Sequence, residues 1–170
     1  QWRQAMDEEM ASLSAHCTWD LQDVPVDRKP IACRWVYALK RNEKGSVERY
    51  KARLVAKGFS QKPGAEYGDI WAPVSQYKTL RCLLALVAAH SLELHQLDIK
   101  TAFLNGDIDE ELYMMQPPGY QRAGDSRACR LRRALYGLKQ ASRAWHLKLK
   151  EFLAKAGFQA CDAGPCLFLK

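Results

Sequence analysis

No apolar run in the 170 residues approaches the length of about 20 needed to cross a bilayer, so no membrane span is expected. The six cysteines, at positions 17, 33, 82, 129, 161 and 166, include no Cys-x-x-Cys pair. A structural zinc site normally uses such a pair with a matching second one, and His16, His90, His95 and His146 show no ligand spacing either. The cysteines therefore read as free thiols of a reducing compartment. Glycine and proline are sparse, at 10 and 7, while 48% of residues are hydrophobic; this excludes a disordered chain and allows a sizeable core. The chain does not open on Met, and its acidic, amphipathic start is unlike a secretory signal. A segment cut from something longer is expected, of a size for one domain or part of one.

Charge is plentiful but unevenly placed within the net +7. Residues 1–27 carry one Arg against six acids, and residues 28–62 carry eleven Lys and Arg against two. Residues 91–119 carry six acids against one Lys, and residues 120–155 return to ten bases against two acids. Two cationic segments thus bracket an acidic one. A solvated surface is one reading; a polyanion held by the flanks with a cation held between them is the other.

Residues 1–15 read as a helix, with Trp2, Met6, Met10 and Leu13 recurring at helical spacing; it is expected to pack and to do no chemistry. Residues 18–30 read as irregular. From Ile31 the period becomes two, and Asn42-Glu43-Lys44-Gly45 suits a hairpin turn. On the return strand, Val47 to Lys57, Tyr50, Ala52, Leu54 and Ala56 alternate with Arg49, Lys51, Arg53 and Lys57. A row of cations on one face repels itself. It fits an anionic partner, or else an edge defended against aggregation.

A connector over 58–74 leads to Ser75 as a candidate N-cap and to a mostly buried helix reaching about His90. That helix is expected to lie beneath a strand formed by Leu92, Leu94, Leu97 and Ile99, near whose end stands Asp98. A buried carboxylate needs a cation or hydrogen-bond donors. Thr101, Ala102 and Phe103 follow in a stretch suited to a tight turn whose amides face an anion. Asp98 therefore reads either as a cap of that turn or as a metal ligand. The acids 107–111 read as a solvated loop, and Met114 and Met115 as packing. A short strand from Ala128 to Leu131, a turn at Gly137 and a helix over 142–156 stopped by Gly157 come next. Gly137 would let backbone approach a flat ligand, with Tyr136, Lys139 and Arg143 able to stack on it or pair with it. A last apolar strand from Cys166 is expected to be unpaired or poorly satisfied.

Several blocks together resemble one family: Tyr50-Lys-Ala-Arg-Leu-Val-Ala-Lys-Gly-Phe59, Ala72-Pro-Val74, Gln96-Leu-Asp-Ile-Lys-Thr-Ala-Phe-Leu-Asn-Gly106, Tyr113-Met114, Gln116-Pro117, Leu135-Tyr-Gly-Leu-Lys-Gln140 and Pro165-Cys-Leu-Phe168. In order and spacing they are similar to the reverse transcriptase of copia-type LTR retrotransposons. The resemblance implies an α+β fold: right-hand polymerase fingers and a partial palm, an antiparallel sheet backed by helices. It divides the chain into an N-terminal helix and connector (1–30), a fingers hairpin and connector (31–74), a palm part (75–111), a fingers return with the nucleotide- and template-contacting turn (112–141), and a palm helix with a truncated strand (142–170).

The resemblance also implies roles. Asp98 would be the first catalytic aspartate and a ligand of two magnesium ions, with the carbonyl of Ile99 on one of them. Lys51 and Arg53 would pair with a triphosphate, the main contact being left open between them. The backbone of Thr101 and Ala102 would hold that triphosphate, and Phe103 would exclude a 2′-hydroxyl. Tyr136, Gly137 and Lys139 would pack against the incoming nucleotide, and Arg49, Lys57 and Arg143 would track nucleic acid. Implied partners are an RNA or DNA template with its primer and deoxynucleoside triphosphates. The parent polyprotein would carry integrase upstream and ribonuclease H downstream, in a cytoplasmic virus-like particle or the nucleus.

Ser142, Trp71 and Gly164 depart from the family's usual Pro, Phe and Asp. The family's Tyr-Val-Asp-Asp catalytic hairpin would fall beyond residue 170. The segment alone is thus not expected to polymerise, and the other reading is a catalytically dead remnant that acts at most as a basic nucleic-acid-binding module.

Overall fold

The computed structural model describes residues 1–121 and 123–170; Arg122, one of the bases of the segment 120–155, lies outside the described residues. The architecture is mixed α+β, with three α-helices and small antiparallel sheets. Helix α1 (Trp2–Ala15) forms as its periodicity predicts, but of the four periodic residues only Leu13 is buried, together with Ala5, and Trp2 is exposed. Strand β1 (Trp19–Gln22) follows inside the stretch read as irregular. Four residues with Asp20 and Gln22 between the apolar ones are too short to announce a strand. Pairing with β5 (Ala128–Leu131) makes it one, and β4 (Tyr113–Met114) completes a sheet of order β1-β5-β4.

Strands β2 (Cys33–Arg41) and β3 (Val47–Ala56) form the expected hairpin. Its turn is closed by the Gly45 amide on the Asn42 carbonyl at 2.9 Å. The Asn42 side chain accepts the amides of Lys44 and Ser46, and Gly45 has φ +78°. Ile31 ties the hairpin to the three-stranded sheet, donating to Tyr113 O at 2.7 Å and accepting from Met115 N at 2.9 Å. Around this junction sits one core that includes Leu13, Ile31, Leu54, Met114, Leu131 and Leu135. Met115, next to buried Met114, is exposed rather than packed. Cys33 and Cys129 are buried in the same core, and burial pushes their thiols up to about 11 and about 12. They are inert core thiols.

The other half differs from expectation. Helix α2 (Tyr77–His90) starts after Gln76, so Ser75 is not its cap, and it has no buried residue. Leu80, Leu83, Leu84 and Leu86 are all more than 40% exposed. The expectation of a buried scaffold is therefore corrected. Composition made the helix apolar, but its leucines stay exposed among the described residues. The strand expected over Leu92–Ile99 is also absent: those residues form no ladder, and Leu97 is 87% exposed. Alternation needs a neighbouring strand to pair its backbone groups, and none is adjacent.

Helix α3 (Ala141–Lys155) and its glycine stop agree with the sequence; Gly157 has φ +89°, and Phe158 N donates to Leu153 O at 2.9 Å. The last strand is not unpaired: β7 (Gly164–Leu169) forms an antiparallel hairpin with β6 (Gln159–Cys161). No helix among the described residues is long and apolar enough to cross a membrane.

Candidate functional site

A cleft of about 540 Å³ opens between three pieces of chain. Strand β3 lines it with Arg49 to Arg53, and its period-two alternation buries Ala52, Leu54 and Ala56 while leaving Arg49, Lys51 and Arg53 accessible. Helix α1 contributes Ala5, Glu8, Glu9 and Ser12. The third side is the run Asp98 to Ala102, with Tyr136. Residues separated by dozens of positions in sequence thus share one concavity.

The helix is held on the strand by rings and by one carboxylate. Trp2 meets Tyr37 and Tyr50 edge-on, with centroids 5.1 and 4.6 Å apart. Glu9 Oε1 accepts the Leu54 amide at 3.3 Å, on the edge of β3 that faces away from β2. Two residues on, the Ala56 amide donates to Tyr136 O at 2.8 Å along the same edge. Burial raises the Glu9 carboxyl above its ordinary value, opposed by the Leu54 amide and by the charges of Arg53 and Lys51. Lys51 is shifted down, first by desolvation and then by Arg53 and Arg49, with Glu9 opposing. None of the ion pairs among the described residues involves Lys51 or Arg53. The row of cations is crowded and unneutralised at contact distance, a setting in which a bound anion would relieve repulsion.

Thr101 lies in the left-handed region at φ 53° and begins a 3₁₀ turn over Ala102–Asn105. The turn closes on the carbonyls of Thr101 and Phe103, through Leu104 N and Gly106 N at 2.9 Å each. The tight turn expected after Asp98 is therefore present. Asp98 itself is exposed, on irregular backbone, and it lines the cleft together with Ile99. Phe103 is placed one ring back. Its ring meets Tyr136 edge-on at 4.9 Å, and Tyr136 in turn carries the Arg53 guanidinium 4.9 Å from its centroid.

Besides Phe103, four predicted residues do not line this cleft. Gly137 has φ +90°, and a Cβ there would stand 2.1 Å from Ala56 O, so its bare face is spent on β3. The close approach predicted for a ligand is made by the chain itself. Lys139 places Nζ 5.3 Å from the Tyr67 ring centre, and its amide donates to Gln61 Oε1 at 2.9 Å. Arg143 pairs with Asp69 at 3.4 Å. Lys57 lines a different pocket. Conversely, Glu8, Glu9 and Ser12 were not singled out by the sequence reading, which gave α1 no chemistry. The available signal was the acidic stretch 1–27 set beside the basic stretch 28–62.

The donor set for a metal is short. Among the described residues no group of three His, Cys, Asp or Glu is arranged to hold an ion. Asp98 and the Ile99 carbonyl are a partial set, whereas magnesium is bound through carboxylates together with substrate phosphates. These residues by themselves do not fit a pair of ions.

With this geometry in view, the comparisons with known proteins agree on one family. The pattern of the family described as "Reverse transcriptase (RNA-dependent DNA polymerase)" matches residues 16–170. The chain is 43% identical over its whole length to the retrovirus-related Pol polyprotein from transposon TNT 1-94 of Nicotiana tabacum, covering 13% of that protein. It is 42% identical over 99% of its length to the Pol polyprotein from transposon RE2 of Arabidopsis thaliana, covering 12% of it. With the transposon Ty1-BL Gag-Pol polyprotein of Saccharomyces cerevisiae the identity is 32% over 97% of the chain and 9% of the relative. The chain therefore spans about an eighth of the length of the first two relatives. No solved structure matches it significantly.

Proposed function

The chain belongs to the reverse transcriptase (RNA-dependent DNA polymerase) family, as part of the reverse transcriptase region of a copia-type retrotransposon Pol polyprotein, and from that premise we propose that its cleft is the nucleotide-binding half of the polymerase site. The observation that carries the proposal is the convergence of Arg49, Lys51 and Arg53 with Asp98, Thr101, Ala102 and Tyr136 around one concavity. Lys51 and Arg53 meet the triphosphate of a deoxynucleotide. The amides at the start of the 3₁₀ turn take its remaining oxygens. Tyr136 and the Phe103 ring behind it wall the sugar side, where an added 2′-hydroxyl would meet ring carbon. In this reading the β2–β3 hairpin is the fingers, and residues 75–111 belong to a palm. RNA or DNA template with primer runs along the basic surface, held by backbone charge rather than by sequence.

The family generally uses magnesium, which when bound would supply positive charge to nucleotidyl transfer. Asp98 and the Ile99 carbonyl would be the groups to hold a first ion. The described donors do not fit two ions.

A second reading, a nucleic-acid-binding remnant without chemistry, is favoured by that short donor set. The two readings separate on the nucleotide. Calorimetric titration of a deoxynucleoside triphosphate should show binding that Lys51→Ala with Arg53→Ala weakens by about 10-fold or more, the scale of lost charge-assisted hydrogen bonds. Equal binding by both proteins, or none by either, would refute a nucleotide site in this cleft.

A further inference from the structure

A second basic concavity, of about 430 Å³, shares no lining residue with the cleft. Lys29, Lys57 and Lys62 line it, with Phe59 and Met115, against the single acid Glu66. That acid is already engaged: Glu66 Oε2 accepts the Lys62 amide at 2.6 Å. None of the three lysines takes part in an ion pair among the described residues.

The unusual member is Phe59, whose side chain is large and apolar yet 81% exposed. Its backbone is pinned. Phe59 is the middle residue of the 3₁₀ turn Gly58–Ser60, which Ser60 N closes onto Lys57 O at 3.1 Å and the Ser60 hydroxyl onto the same oxygen at 2.9 Å. Gly58 lies against Gly137 so tightly that a Cβ there would stand 2.0 Å from Gly137 O. On the far side of the turn Gln61 is buried, bonded to Gln140 at 3.0 Å and accepting the Lys139 amide. A flexible loop would let an apolar ring fold back onto the protein, but this turn is fastened on both sides and holds the ring outward. An exposed ring on a pinned backbone, among three lysines outside any ion pair of the described residues, has the chemistry of a base-stacking platform with phosphate contacts beside it.

We infer that Phe59, flanked by Lys29, Lys57 and Lys62, is a landing site for one base and the adjoining phosphates of a single-stranded nucleic acid. The inference rests on the reading that nucleic acid is this chain's partner, and it adds a strand contact outside the nucleotide cleft. The charge is complementary to a polyanion, and the exposed ring adds a contact to bases that charge alone does not supply. Because every base has a π-face, the site is tolerant of sequence.

The test uses the whole chain and two fluorescent strands of equal length, an oligothymidylate and an abasic sugar-phosphate strand, in anisotropy titrations. The expected result is a preference of about 10-fold for the strand with bases, the scale of stacking on one ring. Phe59→Ala should bind both strands at the abasic level, Phe59→Trp should keep the preference, and Lys57→Ala with Lys62→Ala should weaken both strands alike. A Phe59→Ala protein that still prefers the base-bearing strand would overturn the platform while leaving nucleic-acid binding intact. So would wild-type protein that binds both strands equally. Wild-type protein that binds neither would overturn both the platform and the reading beneath it, whereas loss of the triphosphate site alone would leave this result unchanged.

Discussion

The two sides of the cleft are built to different standards. The side formed by α1, β2 and β3 rests on a shared core that includes Leu13, Ile31, Cys33, Leu54 and Ala56. The side that carries Asp98 leads back to α2, which has no buried residue, and to Leu92, Leu94 and Leu97, all more than half exposed. Between positions 62 and 103 no residue belongs to the core. The cationic half of the site is thus preorganised, while the carboxylate half depends on an apolar surface that the described residues leave uncovered. The first half presents a row of cations, and the described donors of the second do not make up a cation site.

Unfolding measurements would break the comparison most forcefully. Leu54 is fully buried under the cationic row, and Leu54→Ala should cost about 2–5 kcal/mol in a urea titration. Leu84→Ala on α2, where the side chain is 42% exposed, should cost about 0.5 kcal/mol or less. Similar losses at the two positions would mean that α2 is as well supported as β3.

A smaller effect sharpens the first half. Glu9 has its carboxyl raised above the ordinary 4.5 by burial, so folding favours its protonated form. A raised group contributes stability that is fully present below its unfolded value and lost as pH rises through its folded value. From mildly acidic to neutral pH the wild-type urea midpoint should therefore fall relative to that of Glu9→Gln, which keeps an oxygen for the Leu54 amide and has no proton to lose. A constant difference between the two proteins across that range would remove Glu9 as a titrating member of the cleft.

The same contrast explains what was legible in the sequence. The β2–β3 hairpin, its Asn42–Gly45 turn, β5, and α3 with its Gly157 stop rest on local chemistry (period, turn residues and a glycine stop), and all were readable. Strand β1 was not, because Trp19–Gln22 becomes a strand only by lying against Ala128–Leu131. The leucines of α2 were read as buried because composition says what a face prefers and not what covers it. At the site, Lys51, Arg53, Asp98, Ile99, Thr101, Ala102 and Tyr136 could be named through the family's blocks, and they do converge. Gly137 was read as open to a ligand, whereas its missing side chain makes room for Ala56. Glu9 escaped notice because an acid in an amphipathic helix looks solvated until its partner strand is known.

The most direct measurement is an amide chemical-shift titration of the whole chain with a deoxynucleoside triphosphate. The account predicts that the largest shifts fall on Lys51, Arg53, Thr101, Ala102 and Tyr136, and that the amides of Leu83 to Val87 stay in place. Shifts centred on α2 or on the β6–β7 hairpin, with the cleft unchanged, would contradict it.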